Sequence, residues 1–408
     1  MLFSPLVVAL VVSLITVPLL MRLAPRLGLV DLPDARKQHA GAIPLVGGVA
    51  IFVATGISLA LAGEWRAVPL GFVAAAGVIL LLGLLDDARE LGPVLRFGVQ
   101  AAAVWFAVWS AGHLLPDLGR LTGQQVVALN TWSLVLTVVG ILGVVNALNL
   151  VDGADGLAGG VAATALFWLI VTFALLGGAG AHPVGSYALP VLASVLGGVL
   201  GFLYFNLRRR ARRRASVFLG DAGSLLLGFV LGWFVVGATL QPGTGDLPPA
   251  AALWLLWVPL YDTVGVMLRR VLAGRSPMRP DREHLHHLFQ DLGFTPRQTV
   301  NRLIVLNFLG GALGVLGWRL GVPEVALFAL FLFGFVCYVL LCMWVWRKLK
   351  APLPSQRRAQ RRAARAAQRG AVAAPASAVA VAAVATVPAG TAEPPLPDAA
   401  GTGRFSAE

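Results

Sequence analysis

Charged residues are scarce in this chain: they make up 12% of its 408 residues, whereas 58% of the residues are hydrophobic. A soluble domain carries roughly 25% charged residues, so this composition excludes a soluble globular protein. Apolar runs of about 18 residues or more recur along the chain, and each is long enough to cross a membrane as a helix that satisfies its own backbone. The sequence therefore predicts an all-α, polytopic bundle of membrane-spanning helices.

Two further absences narrow the architecture. Cysteine occurs only at Cys337 and Cys342, which lie five positions apart in one late apolar run and off a shared helical face. We expect no disulfide between them. The first apolar run, about residues 2–20, lacks a basic start and a small-residue cleavage site and is too long for the apolar part of a signal peptide. We expect it to persist as a spanning helix.

Acidic residues are outnumbered by basic ones, 19 against 32, which gives a formal net charge of +13. Such an excess can indicate a nucleic-acid partner. Here, however, the arginines cluster beside apolar runs, notably at 208–214 and 347–369. That distribution is typical of a membrane protein anchored near anionic lipid. We therefore predict membrane lipids, and no nucleic acid, as partners.

Apolar runs and polar breaks together predict about eleven spanning helices. Their predicted centres lie near Val12, Ile51, Val78, Phe106, Val138, Leu169, Leu196, Val230, Val258, Leu309 and Phe331. Loops after even-numbered helices hold few cations beyond Arg66, Arg120 and Arg319, whereas loops after odd-numbered helices hold most of the others. By the positive-inside rule the odd loops are cytoplasmic, and they also carry nearly every polar motif.

The C-terminal part of the chain has a different composition. Beyond residue 350 it turns to Ala, Pro and Arg without apolar periodicity, and from about Ala371 it is of low complexity. Segments of this kind cannot bury a core. We divide the chain into a membrane domain at 1–350 and a disordered cytoplasmic tail at 351–408.

Two adjacent carboxylates, Asp86 and Asp87, end the third apolar run and are followed by Arg89, Arg96 and Gln100. Acidic residues at a membrane boundary are costly unless they are paired or hydrated. One interpretation is an interfacial pair solvated by water. The other is a site for a divalent metal or a phosphate, because a cation relieves the repulsion between adjacent carboxylates.

A second polar segment follows the fifth apolar run and contains Asn146, Asn149, Asp152, Gly153 and Asp155. The first three are three residues apart, so a continuing helix would place them near one face. The D-G-x-D-G spacing resembles a calcium loop, but the Glu that closes such a loop is absent. Turn chemistry explains each Asp-Gly pair, yet not two Asn and two Asp in a chain this poor in polar residues.

The loop after the seventh apolar run places Asp221 between glycines, with Ser224 nearby. The ordinary interpretation is a helix N-cap formed by Asp221. The alternative is a phosphate or metal-phosphate site, because a helix N-terminus offers free backbone N–H groups and a favourable dipole. Only the other motifs on the same membrane side favour the second interpretation.

The longest cytoplasmic loop carries Arg282, His284, His286 and His287. Three close histidines suggest zinc, but two are adjacent and no cysteine is near, so a closed tetrahedral site is not expected. Imidazole and guanidinium groups suit a diphosphate better. We expect the intramembrane acid Asp262 to support this loop, through Arg269 or Arg270.

Together and in this order, the motifs resemble the polyprenyl-phosphate N-acetylhexosamine-1-phosphate transferase family, glycosyltransferase family 4. The resemblance spans about residues 10–345 and rests on N-x-x-N-x-x-D-G-x-D-G-L at 146–157, F-x-G-D-x-G-S at 218–224 and P-D-R-x-H-x-H-H at 280–287. It implies a bundle of ten or eleven helices in the bacterial plasma membrane with a cytoplasmic site. It also implies transfer of the sugar phosphate from a UDP-N-acetylhexosamine to a polyprenyl phosphate such as undecaprenyl phosphate, with release of UMP.

The resemblance implies a role for each motif residue. Asp221 matches the principal ligand of Mg²⁺, for which Mn²⁺ could substitute, and Asn149 and Asp152 join it as metal ligands. Asp86 matches the residue proposed to deprotonate the lipid phosphate, and Asp87 matches a supporting acid. Positions around the nucleoside are matched by Lys37, Asn149, Asp152, Asp155 and Phe218. The loop that contacts the diphosphate is matched by Arg282, His284, His286 and His287. The resemblance also implies a catalytic role for His284.

The H-x-H-H form resembles the branch that uses UDP-N-acetylglucosamine in the first membrane step of cell-envelope polysaccharide synthesis. The branch that uses UDP-N-acetylmuramoyl-pentapeptide is the alternative. This chain departs from the family before Phe218, where Arg213-Arg214-Ala215 replaces the usual Pro-Ala. A transporter is the rival from another class, although the acids lie at one membrane face. Single-step and two-step transfer, and a homodimer, stay open.

Overall fold

The computed structural model describes residues 3–31, 41–123, 125–177, 184–208, 214–240, 246–274 and 284–350. Within these ranges it contains thirteen α-helices and one two-stranded antiparallel ribbon, β1 (Val30–Asp31) with β2 (Ile43–Pro44). The helices are α1 Phe3–Leu23, α2 Gly47–Ala62, α3 Leu70–Arg89, α4 Pro93–Ala111, α5 Ser133–Val151, α6 Leu157–Leu175, α7 Gly185–Asn206, α8 Gly220–Gly237, α9 Pro249–Ala252, α10 Trp257–Leu272, α11 Leu285–Asp291, α12 Pro296–Arg319 and α13 Glu324–Lys350. The predicted tail at 351–408 lies outside the described residues.

The predicted polytopic bundle is confirmed, because each of the eleven predicted centres lies in a helix. Ten helical segments of the described chain are long and apolar enough to span a membrane. One of them, Pro249–Leu272, consists of α9 and α10 joined by a 3₁₀ turn at Leu253–Leu256. The remaining prediction, α2, is apolar but has only 16 residues. Its length is about 24 Å, shorter than the roughly 30 Å hydrocarbon core.

Helix α8 is the centre of the bundle. Nearly all its residues are buried, and it packs mainly against α3 and α5, with further contacts to α2 and α6. Glycines make this packing close: a Cβ at Gly228 would lie 2.6 Å from the Cα of Val145, and one at Gly232 would lie 3.2 Å from that of Ile141. Small residues allow such approach between helices in lipid, where dispersion contacts replace the hydrophobic effect.

Two more glycines fix α2 and α3 at the N-terminus of α8. A Cβ at Gly83 would collide with the backbone of Asp221 and Ala222, and a Cβ at Gly48 would collide with that of Ala222 and Gly223. Both neighbours are backbone atoms, so neither contact can relax by rotating a side chain. The close contact at Gly83 holds the end of α3 beside the start of α8.

We expect Gly83→Ala to destabilise the protein by about 1–3 kcal/mol, the usual effect of overpacking a core. Gly77→Ala is the matched control, because Gly77 lies in the same helix and nothing lies within 4 Å of a Cβ at that position. The midpoint of thermal unfolding in detergent should fall for Gly83→Ala and stay unchanged for Gly77→Ala. Equal midpoints for the two variants would contradict the close contact.

Candidate active site

The N-terminus of α8 is capped from another helix. Asp87 in α3 accepts hydrogen bonds from the backbone N–H groups of Asp221 (2.8 Å) and Ala222 (3.2 Å). Gly220 precedes them with φ of +74°, and a Cβ there would lie 2.6 Å from Asp87 Oδ2. The interpretation of Asp221 as an ordinary N-cap is therefore wrong. Because Asp87 caps the helix, the Asp221 side chain is available for other contacts.

The Asp221 carboxylate connects three polar segments. Its Oδ1 accepts a hydrogen bond from Asn149 Nδ2 at 2.7 Å, and its Oδ2 lies 3.4 Å from Arg96 Nη1. Asn149 Nδ2 also donates to Ser224 Oγ at 2.9 Å. The Asp221 side chain is 35% exposed, so a ligand can reach it. The loops after α3, α5 and α7 thus meet here, as their shared membrane side predicts.

Arg96 bridges two of the acids. Its Nη1 forms a close ion pair with Asp86 Oδ2 in addition to its contact with Asp221. Asp86 Oδ1 accepts a hydrogen bond from the Leu91 N–H at 2.8 Å, and the Asp86 side chain is only 4% exposed. The sequence analysis gave Arg96 no role, because an arginine beside a membrane helix has the same pattern whether it anchors the helix or binds an acid.

The segment 146–157 divides between two neighbours. Asn146 Nδ2 donates to the Oε1 atom of the buried Gln100 at 3.0 Å, so Asn146 contacts α4 and Asn149, one turn later, contacts Asp221. Asp155 Oδ2 accepts hydrogen bonds from Arg208 Nε at 2.6 Å and Ala215 N–H at 3.2 Å. Asp155 therefore fixes both described ends of the arginine-rich loop.

Asp152 lies among negative charges just beyond the end of α5. Burial raises the pKa of its carboxyl group well above the usual value, and the charges of Asp221, Asp87 and Asp155 raise this pKa further. A bound cation would relieve this repulsion. The predicted metal ligands Asn149, Asp152 and Asp221 offer oxygen atoms, which Mg²⁺ prefers, so the donor chemistry fits that ion.

Among the described residues, no three His, Cys, Asp or Glu side chains form a preformed metal cage. Mg²⁺ does not require one, because it usually keeps several waters and binds one or two carboxylates together with substrate phosphates. The residues therefore fit a metal that binds jointly with a phosphorylated substrate.

The intramembrane acid Asp262 supports the histidine loop, as predicted. It does so directly: its Oδ2 lies 3.0 Å from His284 Nδ1, and its Oδ1 accepts hydrogen bonds from the Leu285 N–H (2.8 Å) and the Tyr338 hydroxyl (3.2 Å). A carboxylate acceptor at Nδ1 fixes the orientation of the imidazole. Nε2 of His284 is then the ring nitrogen on the side away from Asp262.

His286 joins the histidine loop to the Asp-Gly segment. A Cβ at Gly153 would lie 2.6 Å from His286 Cε1 and Nε2, so only glycine allows the ring to pack there. Burial, and secondarily the neighbouring His287, lower the pKa of His286 to about 3. His286 is therefore neutral near pH 7. The rings of His284 and His286 are nearly parallel, with centroids 6.0 Å apart.

A short helix that the sequence analysis did not predict, α11, begins directly after His284. Leu285, Leu288 and Phe289 have helical spacing and would have indicated it, but a two-turn pattern is too short to be distinctive. Arg282, which was predicted to contact the diphosphate from this loop, lies outside the described residues.

Phe218 brings the first cytoplasmic loop to the site. Its N–H donates to the Pro44 carbonyl at 2.8 Å, and its carbonyl accepts a hydrogen bond from the Gly47 N–H at 3.1 Å. The chain at 43–48 therefore runs along the chain at 218–219, and it leads directly into α2. Lys37, predicted to contact the nucleoside from this loop, lies outside the described residues.

This chain is similar in sequence to several known proteins. The model of the family described as "Glycosyl transferase family 4" matches residues 69–239. An undecaprenyl-phosphate alpha-N-acetylglucosaminyl 1-phosphate transferase of Haemophilus influenzae is 35% identical over 353 residues, which cover 86% of this chain and 96% of that protein. Proteins of the same name from Yersinia pestis and Escherichia coli (strain K12) are each 33% identical, over 83% of this chain and 91% and 90% of their own lengths. This chain belongs to glycosyl transferase family 4, the family that its motifs predict.

Proposed function

We propose that this protein transfers N-acetylglucosamine 1-phosphate from UDP-N-acetylglucosamine to undecaprenyl phosphate and releases UMP, with residues 1–350 as the transferase domain. The observation that carries the proposal is the convergence of Asp86, Asp221 and Asn149 with Arg96 beside the start of α8. The names of the relatives, which align over most of their length, support the same activity.

The reaction joins two anions. An oxygen of the lipid phosphate attacks the phosphorus that carries the sugar, and the bond from that phosphorus to the bridging oxygen breaks. UMP leaves with the electron pair of that bond. Transfer of this kind depends mainly on positioning and on offsetting negative charge. Arg96 supplies positive charge for this purpose, and His284, oriented by Asp262, supplies a ring N–H donor.

The contacts of the two adjacent acids favour single-step transfer. Asp87 accepts hydrogen bonds from two backbone N–H groups. Asp86 forms an ion pair with Arg96 and accepts a hydrogen bond from the Leu91 N–H. A two-step route would require one of these carboxylates to attack the substrate as a nucleophile, and it would first have to give up those contacts. Direct attack by the lipid phosphate leaves them in place.

The proposal includes a divalent cation, Mg²⁺ or Mn²⁺, held by Asp221 with Asn149 and Asp152. When bound, it would supply positive charge against the diphosphate. Asn149 orients the Asp221 carboxylate through its amide N–H. Asp87 fixes the same residue through its backbone.

We expect chelation with EDTA to abolish UMP release and added Mg²⁺ or Mn²⁺ to restore it, because carboxylate and amide oxygens favour hard cations. Zn²⁺ should restore less, since the proposed ligands offer oxygen atoms and zinc favours nitrogen and sulfur ligands. The measurement is initial rate against free metal concentration after chelation. Full activity in excess EDTA would contradict the metal-binding role of Asp221.

The proposal places the site on the cytoplasmic side, from the charge difference between odd and even loops. We expect single cysteines introduced at the exposed positions Arg120 and Arg297, in a chain lacking Cys337 and Cys342, to react differently with an impermeant maleimide applied to intact cells. Arg120→Cys should be labelled from outside, and Arg297→Cys should be labelled only after the cells are permeabilised. The reverse pattern would overturn the cytoplasmic location.

The transfer itself is tested by incubating purified protein with undecaprenyl phosphate and a panel of UDP-sugars and measuring UMP. We expect release with UDP-N-acetylglucosamine, dependent on the lipid. A preference for UDP-N-acetylmuramoyl-pentapeptide would assign the chain to the alternative branch. Absence of UMP with every donor would overturn the proposed function and return the transporter to consideration.

A further inference from the structure

An apolar groove runs between α2 and α3 over the surface of α8. Both helices pack against α8 but make few contacts with each other, which leaves a cavity of about 200 Å³ between them. Apart from Thr55 and the indole of Trp65, its lining is apolar. The principal lining residues are Ile51, Phe52, Leu59, Phe72, Leu227 and Val230.

The groove lies in the half of the bundle away from the acids. On α8 it contacts Leu226 to Val230, which lie roughly 8–14 Å beyond Asp221 along the helix axis. Its far rim is formed by Trp65 and Val68, in the loop that joins α2 to α3. That loop is at the opposite end of α3 from Asp86. A chain entering the groove therefore comes from the membrane leaflet opposite the candidate active site.

The groove is open at its side, where the lining residues Gly56 and Val73 are exposed. An apolar space of this size does not hold ordered water. Inside a bilayer, the groups available to fill it are hydrocarbon chains. Its lining thus suits a flexible chain without polar groups.

A cation stands at the rim of the groove. Arg66 is exposed, and its guanidinium carbon lies 5.4 Å from the centroid of the Trp65 ring. Tryptophan favours the membrane–water interface, and arginine binds phosphate through several parallel N–H donors. An apolar groove that ends at an interfacial arginine is complementary to an amphiphile with one negative phosphate.

We propose that this groove binds an acyl chain of an anionic phospholipid from the leaflet opposite the active site, with Arg66 contacting the lipid phosphate. The proposal is independent of the transfer reaction. The bound chain fills the space between α2 and α3, the helices whose Gly48 and Gly83 contact the start of α8. Bound lipid would therefore stabilise the arrangement that holds Asp87 at the N-terminus of α8.

The test is native mass spectrometry of the full chain in detergent, titrated with palmitoyl-oleoyl phosphatidylglycerol. Gly56→Leu places a side chain at the open side of the groove, and Arg66→Ala removes the cation. We expect each to weaken binding of one lipid by at least about tenfold, the scale of a lost phosphate contact. The matched controls are Gly77→Leu, an open glycine outside the groove, and Arg319→Ala, whose guanidinium lies 5.7 Å from the Trp318 ring. Both controls should bind as the wild type does.

Equal lipid affinity in the wild type, Gly56→Leu and Arg66→Ala would overturn the proposal. The proposal would also be overturned if undecaprenyl phosphate displaced phosphatidylglycerol from the wild type and bound weakly to Gly56→Leu. The groove would then hold the chain of the substrate lipid. If Gly56→Leu does not fold, Val73→Trp blocks the same opening from α3. Phosphatidylglycerol should also raise the unfolding temperature of the wild type and both controls, but not that of Arg66→Ala.

Discussion

Asp221→Asn is expected to lower kcat for UMP release by about a thousandfold or more, which corresponds to roughly 4 kcal/mol of transition-state stabilisation. The Asp221 carboxylate is partly exposed, oriented by Asn149 and close to Arg96. The amide keeps the shape of the side chain but removes the negative charge proposed to hold the metal. Metal charge of this kind contributes several kcal/mol to phosphoryl-transfer catalysis.

The matched control is Asp117→Asn. Asp117 is a buried acid, 5% exposed, in the loop between α4 and α5 on the other side of the bundle. Its Oδ1 accepts a hydrogen bond from the Gly119 N–H at 2.8 Å. We expect this variant to keep most of its turnover. The dependence of rate on Mg²⁺ should shift to higher concentration only in Asp221→Asn. Turnover of Asp221→Asn within tenfold of the wild type, at the same Mg²⁺ requirement, would contradict its role.

The helices could be predicted from the sequence because a membrane leaves few alternatives. Each apolar run must satisfy its own backbone in lipid, so hydropathy alone locates the eleven predicted helices. The meeting of Asn149 with Asp221 followed from counting, since loops after odd-numbered helices share one side. Support of the histidine loop by Asp262 was also anticipated, because an acid within a spanning helix requires a partner. The sequence analysis expected Arg269 or Arg270 to mediate it, whereas Asp262 contacts His284 directly.

The contacts that position the site could not be predicted in the same way. Asp87 caps α8 from a helix 134 positions away, and no local pattern indicates which acid reaches a distant helix end. The close contacts of Gly48 and Gly83 with α8 depend on the crossing of particular helices. Gly56 and Gly77, where nothing lies within 4 Å of an added Cβ, have the same kind of apolar sequence context. Arg96 has an ordinary juxtamembrane sequence context.

The adjacent acids Asp86 and Asp87 have different partners because consecutive residues of a helix point about 100° apart. Asp86 faces α4 and pairs with Arg96, whereas Asp87 faces the start of α8. The sequence shows only a pair of like charges. In the structure each carboxylate has its own hydrogen-bond donors. We therefore expect replacement of Asp86 and replacement of Asp87 to cause different defects.

Asp86→Asn separates two roles that the contacts allow for this residue. As the base that deprotonates the lipid phosphate, Asp86 matters most where that phosphate is still protonated, below its second pKa of about 6. As pH rises above about 6 the phosphate loses this proton without help, so the defect in kcat should shrink towards pH 8. If Asp86 only positions Arg96, the kcat defect of Asp86→Asn should instead not change with pH.

The measurement is kcat between about pH 5.5 and 8.5, a range that brackets the phosphate pKa, for the wild type, Asp86→Asn and Arg96→Gln. Arg96→Gln removes the partner of Asp86 but keeps the carboxylate, so its ratio to the wild type should stay constant with pH. We expect the ratio for Asp86→Asn to rise with pH while the KM for the UDP-sugar stays near the wild-type value. A ratio parallel to that of Arg96→Gln would assign Asp86 to positioning. Wild-type turnover of Asp86→Asn at the acidic end of the range would exclude the base role, and the role of Asp221 would stand independently.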